Sequence, residues 1–140
     1  MGISANQARL MTLTARQHDL ELRAQQISAT KMTISLESQQ YATAYSQALN
    51  DYSLLKNGDE ESITYNGKTY KQGTTLDADD LLAAAKADYD TATTNLSTKE
   101  KMWDMELTQV NTEHSAVKTE YDGIKSLISD NVDKSFNVFG

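Results

Sequence analysis

Apolar side chains recur at every seventh residue from Leu13: Leu20, Ile27, Ile34, Tyr41, Ala48 and Leu55 complete one column. The intervening Arg16, Gln17, Asp19, Glu21, Arg23, Gln25, Gln26 and Lys31 are polar. Leu10, Leu22, Ala24, Ala29, Leu36, Tyr45 and Tyr52 widen the column into a face. A seven-residue period with such flanks predicts a helix lying along another helix, here over residues 3–57. The pattern stops at Asn57-Gly58, where glycine suits the left-handed end of a helix.

A second column, again in steps of seven, runs Leu82, Tyr89, Leu96, Trp103, Val110, Val117 and Ile124. It predicts a second long helix over 77–135, followed by a tail at 136–140. Asp77 is the expected N-cap, with Asp79 and Asp80 facing the positive end of the helix dipole. Gly123 lies inside this segment and predicts a local irregularity.

Folding the chain back near its middle sets the columns side by side. Leu13 then meets Ile124, Leu20 meets Val117, Ile27 meets Val110 and Ile34 meets Trp103. The series continues with Tyr41 and Leu96, Ala48 and Tyr89, and Leu55 and Leu82. The expected fold is mainly α: a single domain built as a long antiparallel helical hairpin, coiled-coil-like, with a small β-hairpin at the connecting tip. The connector, 58–76, contains ESITYNGKTYKQGTTL. Asn66-Gly67 favours a two-residue type I′ turn because both positions tolerate positive φ. That turn sets Tyr65 opposite Lys68 and Ile63 opposite Tyr70, with Ile63, Tyr65 and Tyr70 on one face. A lone two-stranded hairpin is marginal in water, so this one is expected to lean on Leu55, Leu76 and Leu81.

Composition narrows the classes of function. The 140 residues include neither proline nor cysteine. The first absence fits long uninterrupted helices, and the second removes disulfides and thiolate metal sites. A net charge of −7 disfavours nucleic acid and anionic membrane surfaces. No apolar run approaches the ~20 residues of a membrane-spanning helix, so no membrane insertion is expected. MGISANQARL lacks the apolar core of a signal peptide, so the protein is expected at the cell surface or outside by export without a cleaved signal, or otherwise in the cytoplasm.

Chemistry is sparse. In the column register His18 faces Thr119 rather than His114, and neither histidine shows a paired-ligand spacing. Asp77, Asp79 and Asp80 lack the ligand pattern of a calcium loop. Tyr41, Tyr45, Tyr52 and Tyr89 at helical spacing read as core or an association face. No nucleophile context, phosphate-cradling glycine motif or cofactor motif is present, and the expectation is a protein without catalysis, cofactor or metal.

A two-helix layer leaves much apolar surface over. Leu22, Leu36, Leu127, Ile128, Phe136 and Phe139 are the candidate association residues, and Leu10, Met32, Met102 and Leu107 also want cover. The phenylalanines have two readings: contact with the first helix around Ile3, Ala8 and Leu10, or contact with a neighbour. The expected partner is the chain itself or another helical protein.

ISANQARLMTLTARQHDLELRAQQISATKM and EYDGIKSLISDNVDKSFNVFG resemble a group of small uncharacterised helical proteins of gut bacteria related to cyanobacteria, and that resemblance brings no activity. More loosely, LTARQHDLELRAQQIS resembles the first helix of flagellar rod and hook proteins, although SATKMTISLESQQ follows where those proteins have a Pro-Gly-containing segment. Type III secretion needle subunits are similar in being helical hairpins. These likenesses imply a self-assembling subunit of a secreted filament or axial structure. A cytosolic coiled-coil adaptor or chaperone that binds a client helix is the alternative.

Overall fold

A computed structural model of the chain describes residues 2–139, with side chains from 2 to 134. The fold is a helical hairpin. Helix α1 spans Ile3–Asn57, strands β1 (Ile63–Tyr65) and β2 (Lys68–Tyr70) pair antiparallel, and helix α2 spans Ala78–Phe139. Helix α2 is continuous through Gly123, where an irregularity was expected, and extends into the segment expected as a tail. The side chains of Phe136 and Phe139, singled out from the sequence, lie outside the described residues.

The helix ends are local chemistry. At the end of α1, Gly58 adopts φ 82°, its N–H donates to the Leu55 carbonyl at 3.3 Å, and the Asp59 N–H donates to that of Leu54 at 2.9 Å. This Schellman pair satisfies carbonyls the helix would otherwise leave open. At the start of α2, the Asp80 N–H donates to Asp77 Oδ1 and the Asp77 N–H to Asp80 Oδ2, each at 3.1 Å. The pair forms a reciprocal capping box with aspartate in the place of the usual glutamate. These amide donors, the Asp80 N–H first, hold the Asp77 carboxyl below the ordinary carboxylate range.

The chain sorts into two compact units: Met1–Thr30 with Met102–Gly140, and Lys31–Lys101. In the first unit, Leu13, Val117 and Ile124 form a buried cluster against which Leu10, Leu20, Tyr121 and Ile128 pack. Ile27 and Val110 are also buried, and Trp103 is half-buried. The helices run antiparallel here: Arg9 pairs with Glu120, Arg16 with Glu113 and Arg23 with Glu106, so numbers rising along α1 meet numbers falling along α2.

In the second unit Ile34, Ala48, Leu55 and Leu96 are buried, and Tyr89 is half-buried. Tyr41 departs from the expected seam, being 45% exposed. Tyr89, expected opposite Ala48, stacks on Tyr45 one turn away, ring centroids 4.7 Å apart. Tyr45 is three residues from the column position Ala48, a flanking position of the kind between which knobs of a paired helix insert, whereas Leu13 and Ile124 share one cluster as their columns predict. Near the tip the buried side of α2 turns by one residue. Leu82 is only half-buried, while Ala78, Leu81 and Ala85 are buried. The cause is the β-hairpin, whose Tyr70 joins Leu55, Ala78 and Leu81 in one cluster, with Tyr52, Ile63, Tyr65 and Leu76 packed around it.

Candidate interaction surfaces

The charged groups of the first unit are concentrated on the flank of the seam. Arg9, Arg16 and Arg23 are seven apart on α1, and Glu106, Glu113 and Glu120 are seven apart on α2. They form a ladder of three ion pairs, the middle one at 3.9 Å. Arg23 also lies over the Trp103 ring at 5.9 Å, so one guanidinium serves a carboxylate and an aromatic face. These side chains are largely solvated, and exposed pairs of this kind contribute ~0–1 kcal/mol each. The two histidines reach the same carboxylate, that of Glu21. His114 Nε2 lies 3.1 Å from Glu21 Oε1, and His18 Nδ1 lies 3.6 Å from Glu21 Oε2. Glu21 thus joins His114 across the seam to His18 one turn away on its own helix. Among the described residues no group of three or more His, Cys, Asp or Glu is placed to hold a metal ion.

The outward side of the same unit is different. Ala8, Met11, Ala15, His18, Leu22, Gln25 and Ala29 follow one another on α1 in steps of three and four, and all are exposed. No acidic residue, lysine or arginine interrupts them. On α2 the positions Met102, Met105, Gln109, Thr112, Ala116, Thr119, Gly123 and Ser126 repeat the pattern, again exposed and again without charge. Met11 is 74% exposed, Leu22 54%, Met102 65% and Met105 67%. Alternating steps of three and four trace a straight stripe along a helix, the geometry of a helix-packing seam. Each helix of this unit therefore carries a second seam-like row on a side that the other helix does not cover. Ion-pair arithmetic at seven-residue spacing, and a search for positions without charge, would have found both features in the sequence.

Of the candidate association residues, Leu22, Leu36 and Leu127 are more than half exposed. Ile128 is not free: it packs against the Leu13, Val117 and Ile124 cluster. In the second unit, Leu36 lines an open depression on α1 with Gln39, Gln40, Thr43, Ala44 and Gln47.

The tip is built on the Asn66-Gly67 turn, with φ of 50° and 77° at its two residues. The register is Ile63 with Tyr70 and Tyr65 with Lys68. Tyr70 is buried, and Tyr65 is half-buried. The Tyr65 hydroxyl donates to Asp88 Oδ2 at 2.7 Å, and Asn66 Nδ2 donates to the same oxygen at 2.9 Å. Burial first, and then this hydrogen bond, push the Tyr65 phenol up to about 12. At the base of the tip, Lys56 reaches both oxygens of Asp79 at 3.2 Å, and that hydrogen bond raises its ammonium above the ordinary lysine value.

Among the described residues no helix is long and apolar enough to cross a membrane. No protein-family model, curated protein or solved structure matches this chain, so the fold and its surfaces stand on the geometry alone.

Proposed function

We propose that this chain is a non-enzymatic structural protein that works by self-association, each copy lending its outward rows to a neighbouring copy. The observation that carries this reading is the pair of charge-free, methionine- and alanine-bearing rows on α1 and α2 of the first unit. In a chain that is 24% charged, an outward helix face is where charges are expected, and here they are missing. A charge-free row suits another charge-free row, because any charged side chain facing it would be desolvated without a partner. The chain carries two such rows on different helices. The α1 row of one copy set against the α2 row of the next closes as a two-fold dimer where two copies reciprocate it, and propagates head to tail into a ring or a filament where they do not. The looser likeness to axial and needle subunits agrees with that outcome.

Sedimentation across a range of concentrations tests the reading. The expected result is a mass above the monomer. A Leu22→Glu, Met105→Glu double variant should return it to the monomer with an unchanged circular dichroism spectrum, since both side chains are outside the seam. Electron microscopy separates rings from filaments. A wild-type chain that stays monomeric at every concentration overturns self-association and turns the same rows toward a client helix.

A further inference from the structure

In the second unit the β-hairpin leans on the helices so that a groove of approximately 490 Å³ opens beside it, within the range of small-molecule sites. Its walls include the rings of Tyr41, Tyr45, Tyr89 and Tyr65, with Asn66 and Asp88 at one side. Tyr45 and Tyr89 are stacked at an interplanar angle of 16°, and Tyr41 remains 45% exposed. The Asp88 carboxylate is held in place by the two hydrogen bonds that Oδ2 accepts from Tyr65 and Asn66. No lysine, arginine or histidine lines the groove. Of the lysines of this unit, Lys56 pairs with Asp79 and Lys71 with Glu61.

A fixed carboxylate without a counter-charge, beside several aromatic faces, is complementary to one class of ligand. Ring faces carry negative potential and attract cations, most strongly where water is partly excluded. An anion would be repelled by Asp88, and a purely apolar ligand would leave its carboxylate unanswered. We propose that this groove binds an organic cation, an ammonium or guanidinium group, whether carried by a free small molecule or by a lysine or arginine side chain of a partner. The inference does not depend on self-association, because the groove and the outward rows of the first unit share no residue.

The test is a titration of the intact protein, followed through the tyrosine ring resonances. The probes are choline, its neutral tert-butyl isostere, in which carbon replaces the ammonium nitrogen, and N-acetyl-arginine amide. Saturable shifts of Tyr41, Tyr45 and Tyr89 are expected with a cationic probe, and at least about fivefold weaker binding with the isostere. Stronger binding of choline assigns the site to a small molecule, and stronger binding of the arginine derivative assigns it to a partner's side chain. Tyr41→Leu, at an exposed ring, and Asp88→Asn, which keeps an acceptor for Tyr65, should each weaken the cation severalfold. Equal binding of the neutral isostere, the absence of saturable shifts, or an Asp88→Asn protein that binds the cation unchanged overturns the proposal.

Discussion

Ile27 and Tyr41 occupy the same seven-residue column of α1, yet the fold treats them differently: Ile27 is 1% exposed and Tyr41 is 45% exposed. Truncating each to alanine therefore separates the packing of the fold from the sequence pattern. Ile27→Ala removes three buried carbons and leaves a cavity, a change that costs ~2–5 kcal/mol in well-packed sites. Alanine's better helix propensity returns only ~0.4 kcal/mol of this. With a urea slope of about 2 kcal/mol/M, a net loss of about 3 kcal/mol lowers the unfolding midpoint by about 1.5 M. Tyr41→Ala loses half-exposed surface and gains propensity, so its midpoint should move by no more than about 0.3 M. Both variants are to be unfolded by urea with helix content as the signal, at several protein concentrations, because association with other copies raises apparent stability. Equal shifts for the two would refute the burial pattern described for α1, and a negligible shift for Ile27→Ala would refute the packed seam of the first unit.

Two further predictions concern backbone and pH. Gly67 and Gly123 both have open space where a Cβ would sit, but only Gly67 has a positive φ, 77°. Gly67→Ala should therefore destabilise by ~1 kcal/mol, and Gly123→Ala, inside α2, should stabilise by ~0.5–1 kcal/mol; thermal melts of opposite sign check this. The Tyr65 phenol is raised from 10.0 to about 12, so the folded state keeps a proton that the unfolded chain gives up first. Its contribution is fully present below pH 10.0 and is lost as pH rises through about 12. In a spectrophotometric alkaline titration one of the seven tyrosines should ionise late, and Tyr65→Phe should remove that step alone. A Tyr65→Phe titration with the late step intact would disprove the raised phenol of Tyr65 and, with it, the burial and hydrogen bond that cause it.

The helices and the turn were legible because each depends on local rules. A seven-residue period sustained on both sides of a proline-free chain specifies paired helices, and Asn66-Gly67 specifies its turn through backbone conformations few other residues adopt. Where Leu81 takes the place expected of Leu82, and where Tyr41 faces solvent, the deciding contacts come from elsewhere in the chain. The β-hairpin covers the start of α2 and brings Tyr65 and Asn66 to Asp88, and no periodicity in α2 alone foretells a third element resting on it. The stacking of Tyr89 on Tyr45 does not follow from matching column to column, because Tyr45 belongs to the row flanking the column. The outward rows escaped notice because they are defined by what they lack, and a reading that tracks apolar residues passes over threonine, glutamine and alanine.

The charges of the first unit bear on how the seam within the chain would be kept distinct from the proposed contact between copies. Each exposed Arg–Glu pair contributes too little to hold the helices together, but the distribution of sign is decisive. Every cation of the ladder is on α1 and every anion on α2. Pairing the inner face of α1 with that of another α1 would set Arg9, Arg16 and Arg23 against their own kind, and pairing two α2 faces would do the same with Glu106, Glu113 and Glu120. Like-charge opposition of this sort penalises the wrong partner more than the correct pairing rewards the right one. The inner faces are thereby matched to each other, and under the self-association proposed above a neighbouring copy would be left the outward rows, where contact would rest on methionine, leucine and alanine packing.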